Sequence, residues 1–145
     1  MNILVINGPN INLLGEREPD IYGKSTYRDL VQVISTHAKR AGHKVYLRHT
    51  NHEGVIIDLI QRYRHKVDGI IINPGALTHY SYAIYDCLKS VSIPAIEVHL
   101  SDIHHREAFR SVSVIAPACI QQISGKGIQG YLEAVDALTK GQTTQ

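Results

Sequence analysis

Cysteine is scarce in this chain: Cys87 and Cys119 are the only two in 145 residues. They stand far apart in apolar surroundings. That argues against a scaffold built on disulfides and fits two buried thiols in a reducing cytosol. Long apolar runs are missing too, since no stretch approaches the ~20 residues of a membrane-spanning helix. Charge of one sign is also lacking. Fifteen Lys and Arg stand against thirteen Asp and Glu, for a net charge of +2. The bases are interleaved with acids, so no basic stripe is available for a phosphate backbone, and nucleic acid is not an expected partner. Glycine and proline are not in excess, and no linker, low-complexity segment or internal repeat interrupts the pattern. An apolar run begins at Ile3, so no secretory leader is expected. The expectation is a cytoplasmic protein with one domain over residues 1–145, long enough for a proper core.

What is present is an alternation of short apolar strands and amphipathic helices. Ile3–Ile6 reads as the first strand. Ser25 is a candidate N-cap for a helix whose apolar positions are Tyr27, Leu30, Val31, Ile34, Ala38 and Ala41, a 3.6-residue period that Gly42 ends. Val45–Leu47 is a second strand. Val55, Ile56, Leu59, Ile60 and Tyr63 mark a second helix. Gly69–Ile72 is a third strand, apolar on both faces. Ala83, Ile84, Cys87, Leu88 and Val91 mark a third helix. Ala95–Val98 is a fourth strand, Val112–Ala116 a fifth, and Tyr131, Leu132, Val135 and Leu138 mark the last helix. Five such strands predict an α/β fold, a parallel sheet covered by helices on both faces. The flavodoxin-like order 2-1-3-4-5 places a crevice beyond the carboxyl ends of strands one and three.

The segments that follow those strands are unusual. Strand one runs into Gly8–Gly23, a loop of about sixteen residues dense in Gly, Pro and Asn. Loops of that length are uncommon in compact domains and are usually functional. It carries Arg17 and Tyr22, a cation and a phenol; a cation beside a phenol favours the phenolate, which can act as a base. Strand three leads into Asn73-Pro74-Gly75-Ala76-Leu77-Thr78-His79, and strand four into Glu97-Val98-His99-Leu100-Ser101-Asp102. The turns at the other end of the sheet are ordinary and polar.

Each motif has a plainer reading beside it. Gly125-Lys126-Gly127-Ile128-Gln129-Gly130 matches G-x-G-x-x-G, but a dinucleotide fingerprint belongs after the first strand. Close packing at the start of the last helix is the better reading. Nine histidines invite a metal, yet His49-x-x-His52 and His104-His105 have no third ligand at a recognisable spacing. Glu97 and His99 lie two apart in a strand and therefore share a face. The carboxylate can hold the imidazole in a proton-bearing form suited to a general acid; a satisfied core pair is the alternative, and the place at the strand's carboxyl end favours function. The Asn73–Gly75 turn can offer amide and backbone donors to an anion. Arg106 and Arg110, four apart, read as one face of a helix. One can be a site residue and the other a solvated charge, and periodicity does not choose between them.

These residues carry a family likeness. Gly8-Pro9-Asn10-x-Asn12-Leu13-Leu14-Gly15-x-Arg17-Glu18-x-x-x-Tyr22-Gly23 resembles the N-terminal signature of type II 3-dehydroquinate dehydratases. Asn73-Pro74-Gly75-Ala76-x-Thr78-His79-x-Ser81-x-Ala83 resembles the second signature. Glu97-Val98-His99-x-Ser101, followed by Arg106-Glu107-x-Phe109-Arg110-x-x-Ser113, resembles the third. The resemblance implies a flavodoxin-like fold and the loss of water from 3-dehydroquinate to give 3-dehydroshikimate, without a cofactor or metal. The reaction serves the shikimate pathway of aromatic amino acid biosynthesis or quinate breakdown. It implies Tyr22 as the base at carbon 2, with Arg17 and Arg110 keeping the phenol acidic. Asn10 would stabilise the enolate through a water, and His99, held by Glu97, would protonate the departing hydroxyl. Asn73, with Gly75 in its turn, and the backbone of Leu100 and Ser101 would bind the substrate carboxylate. His79 and Arg110 would bind ring hydroxyls. Asp86 would reach a neighbouring subunit's site in a dodecamer built from trimers. Departures from the family pattern are Ile11, Asp102, Gln121 and Lys126.

Competing readings fare worse. A phospho-acceptor receiver needs acidic residues after strand one, where this chain has Asn7-Gly8-Pro9-Asn10, and a flavin-binding module needs a Ser/Thr-rich loop there. An inactive homologue would be expected to lack Tyr22, Arg17 or His99, and all three are present.

Overall fold

The computed structural model describes residues 1–16, 20 and 24–140. Five parallel strands form one sheet: β1 (Asn2–Asn7), β2 (Lys44–His49), β3 (Gly69–Asn73), β4 (Ala95–His99) and β5 (Gln121–Ser124). Their order is β2-β1-β3-β4-β5, as the flavodoxin-like reading expects. Among the described residues, four helices cover it: α1 (Tyr27–Arg40), α2 (Glu53–Tyr63), α3 (Tyr82–Val91) and α4 (Gln129–Lys140).

The period of two along β1 divides the core. Ile3 and Val5 pack with Leu30 and Ile34 of α1 and Tyr131, Val135 and Leu138 of α4. Leu4 and Ile6 face the other way, onto Ile56 and Ile60 of α2 and Ile84 and Leu88 of α3. Strands buried on both faces read as unbroken apolar runs, which is why Gly69-Ile70-Ile71-Ile72 was conspicuous. The last helix packs close to the sheet at Gly130, where a Cβ would stand 3.3 Å from the Ile123 side chain. No helix among the described residues is long and apolar enough to cross a membrane.

Three local expectations need correction. The N-cap of α1 is Thr26, not Ser25: its hydroxyl accepts from the Asp29 amide at 3.1 Å, and Asp29 accepts from the Thr26 amide at 2.9 Å, a closed capping box. The fifth strand is Gln121–Ser124, not Val112–Ala116. Backbone donors in the apolar segment are already engaged, Val114 with the Thr78 carbonyl and Ile115 and Ala116 with the Ser113 hydroxyl. A segment whose N–H groups serve turns cannot extend a sheet ladder. Arg106 and Arg110 do not share a helix face, because short 3-10 turns at Ile103–His105 and Ala108–Arg110 replace the expected helix.

Candidate active site

The register of the sheet brings Asn7 of β1 opposite Asn73 of β3, at their carboxyl ends. The two loops that leave there pack backbone against backbone. The Gly8 amide donates to the Asn73 carbonyl at 2.7 Å. A Cβ on Gly8 would lie 2.9 Å from the Pro74 carbonyl, and one on Gly75 2.9 Å from the Pro9 carbonyl. Gly75 also has φ +60°, a left-handed conformation that side chains disfavour. The Gly-Pro and Pro-Gly pairs are therefore steric requirements of one junction, and that junction forms a wall of a pocket.

The pocket encloses about 570 Å³, counting space open to solvent. Pro9, Asn10 and Ile11 line it from the loop after β1. Asn73, Gly75 and His79 line it from the loop after β3, and His99, Leu100, Ser101, Arg106 and Arg110 from β4 and beyond. Crevices at this place are the rule where strand order reverses in an open α/β sheet. Among the described residues, no group of three or more His, Cys, Asp or Glu could hold a metal ion.

At its inner end stands a buried carboxylate–imidazole pair. Glu97 is fully buried, and its Oε2 lies 2.6 Å from Nε2 of His99. Three further donors close on the same carboxylate: Thr78 Oγ1 at 3.0 Å, Gln122 Nε2 at 2.7 Å and Ser113 Oγ at 2.7 Å. Burial pushes the Glu97 carboxyl up, but the imidazole and the hydrogen bonds from Gln122 and Ser113 outweigh it and hold the group below its ordinary value. Glu97 is thus a fixed anion in an apolar core. Its charge is felt nearby: burial first, then Glu97, push the Cys119 thiol up to about 12. Cys119 and Cys87 are both free thiols.

Comparison with known proteins shows which family the chain belongs to. The family model for dehydroquinase class II matches residues 1–139. The chain is 61% identical to a 3-dehydroquinate dehydratase of Caldicellulosiruptor bescii, over 94% of each chain. The chain belongs to the class II dehydroquinase family. It is also 56% identical to a 3-dehydroquinate dehydratase of Clostridium acetobutylicum, over 95% of this chain and 96% of that one. The crystal structure of a type II dehydroquinase from Butyrivibrio crossotus superposes with a TM-score of 0.95 at 53% identity, covering 96% of this chain and 97% of the other.

Most of the site residues expected from sequence line this pocket. His79 donates through Nδ1 to the Val112 carbonyl, 2.7 Å away, with its ring edge-on to Phe109. Arg110 is bonded through Nε to Glu107, and its guanidinium lies 4.7 Å from the centre of the Phe109 ring. Asn10 has φ +71°, held by its amide's bond to Asn51 Oδ1 at 3.0 Å. Leu100 is buried, and its carbonyl accepts from the Gly127 amide. Asp86 stands apart: it is exposed on α3 and does not line this pocket. Arg17 and Tyr22 lie outside the described residues.

Sequence reasoning missed the support behind these groups. Gln122 comes from β5, outside the fifth strand that the apolar pattern predicts, and Thr78 and Ser113 enter the sequence reading only as parts of motifs. Asn7 and Tyr131 were read as strand end and helix core. The signal available was a polar residue at an apolar element's buried end, as at Asn7 after Ile3–Ile6.

Proposed function

We propose that this chain eliminates water from 3-dehydroquinate by a stepwise, enolate-forming mechanism. Tyr22, as phenolate, takes the proton from carbon 2, and the electron pair moves into the carbon 3 carbonyl. Arg17 supplies the cation that keeps the phenol acidic, and Asn10 stabilises the enolate through a water. The enolate then collapses: the carbon 1–oxygen bond breaks, His99 delivers its proton to the leaving hydroxyl, and water departs. A carbon 1–carbon 2 double bond conjugated with the ketone remains. Tyr22 has gained one proton and His99 has lost one, so solvent exchange resets both.

The observation that carries this reading is the His99–Glu97 pair, 2.6 Å apart, at the inner end of a pocket that also holds Asn73, Ser101, His79 and Arg110. Glu97 orients the ring and gives the imidazolium an anionic partner, an arrangement suited to an acid that must keep its proton until the leaving group needs it. Asn73, held in its turn by Gly75, and the backbone of Leu100 and Ser101 take the substrate carboxylate, and His79 and Arg110 the ring hydroxyls. The unit over 1–145 acts as one catalytic domain, assembled into trimers and those into a dodecamer, with Asp86 completing a neighbour's site.

The test is direct. The pure protein is mixed with 3-dehydroquinate, and the conjugated product is followed by ultraviolet absorbance. Tyr22→Phe should abolish turnover while leaving substrate binding largely intact, since the ring still fills its place. Binding lost in proportion to rate would remove Tyr22 from the role of base.

A further inference from the structure

Behind the pocket, on the side away from substrate, a chain of three side chains joins β3, α4 and β1. Gly75 donates its amide to Asn73 Oδ1 at 3.2 Å, which fixes the direction of the Asn73 amide. The Asn73 Nδ2 then faces the Tyr131 hydroxyl, 2.8 Å away, and donates to it. A phenol has one proton to give, and Tyr131 gives it to Asn7 Oδ1 at 2.6 Å. All three residues are buried, Tyr131 and Asn7 completely. Burial also pushes the Tyr131 phenol well above its ordinary range, so the group stays a neutral hydroxyl.

This order leaves Asn73 with one defined donor. Its oxygen is taken by Gly75 and one Nδ2 hydrogen by Tyr131, while the residue itself lines the pocket. The second Nδ2 hydrogen is what remains for a ligand. We infer that Tyr131 is a positioning residue, whose hydroxyl, polarised by Asn7, holds the Asn73 amide so that its remaining hydrogen is presented to the substrate carboxylate. The inference rests on the reading of Asn73 as a carboxylate-binding group. Tyr131 itself does not line the pocket and touches no reacting atom. Removing its hydroxyl leaves two buried polar atoms unpaired and lets the Asn73 amide turn on the Gly75 contact alone.

Because the carboxylate is held alike in substrate and transition state, the loss should fall on KM and leave kcat alone. The experiment compares Tyr131→Phe, Asn7→Leu and Asn73→Ala with the unaltered enzyme, measuring kcat and KM for 3-dehydroquinate and the thermal midpoint of each. Tyr131→Phe should raise KM roughly tenfold, the scale of a hydrogen bond to a charged group, with kcat within about twofold. Asn7→Leu should raise KM in the same direction, and it carries the test if Tyr131→Phe does not fold. An unchanged KM in both variants, with only a lowered midpoint, would make the hydroxyl a structural bond and overturn the inference. If Asn73→Ala itself leaves KM unchanged, Asn73 does not bind the carboxylate, and both that reading and this inference fall. If Asn73→Ala raises KM and Tyr131→Phe does not, the inference alone fails.

Discussion

Glu97 is the residue on which electrostatics and stability meet. A fully buried carboxylate without partners would be neutral, at a cost of several kcal/mol otherwise. Four donors keep this one ionised. Its folded-state value lies below the ordinary one, so between the two the unfolded chain binds more protons than the folded chain. The stabilisation is present above the unfolded-state value, about 4.5, and is lost as pH falls through the lower folded value. Glu97→Gln should therefore flatten the acid limb of the thermal midpoint against pH, and it should slow turnover because His99 loses its anion. Parallel acid limbs in the two proteins would show that other carboxylates carry the effect. At His99 the prediction is kinetic. His99→Ala should slow loss of the hydroxyl more than removal of the carbon 2 proton, so exchange of that proton with deuterated solvent persists when dehydration is nearly gone. Exchange and dehydration falling together would mean that His99 is no dedicated acid for the second step. The Glu97–His99 pair was legible because a spacing of two in a strand has one geometric meaning. The Thr78, Ser113 and Gln122 donors were not, since they come from three separate segments and meet only through the fold.

Among the described elements, the first four strands and the four helices could be read from their apolar runs and periods, because each buries a face that the pattern marks. The fifth strand could not. Gln121-Gln122-Ile123-Ser124 has one buried apolar residue, Ile123, and is paired on one side only, to β4. An edge strand needs little hydrophobicity, so it sends little signal. Val112–Ala116 sent a false one: its valines and isoleucine suggest a strand, while Ser113 turns the backbone towards Glu97. The loop junction is where an element-level change should be felt. Gly75→Ala forces a left-handed alanine and a Cβ 2.9 Å from the Pro9 carbonyl. It should cost at least about 1 kcal/mol of stability and raise KM by displacing the Asn73 turn. A urea midpoint and KM both unchanged would show that the two loops can part without consequence.

At the scale of the whole molecule, the surface beside the site is incompletely covered. Tyr82 and Val112 are 68% and 60% exposed, and they share a shallow depression with Tyr85, Val114 and Pro117. It adjoins the machinery, because the Val112 carbonyl holds His79 and Ser113 holds Glu97. Asp86 lies one helical turn beyond Tyr82 on α3, exposed, and its fate separates two states of the protein. In a lone subunit, removing a solvated carboxylate changes stability by no more than about 0.5 kcal/mol. In the proposed trimer with shared sites, the same carboxylate would be buried against a neighbour's cation. Arg110 fits that role: its guanidinium has five donors, and Glu107 engages it through Nε. Truncating one partner of a buried pair costs about 3–5 kcal/mol, because the other charge is left behind. Asp86→Ala should therefore weaken the proposed trimer and lower activity together, read by sedimentation and assay at matched concentrations, and dilution of the unaltered protein should reproduce both losses. A dissociated subunit with full activity would show that each site is complete within one chain.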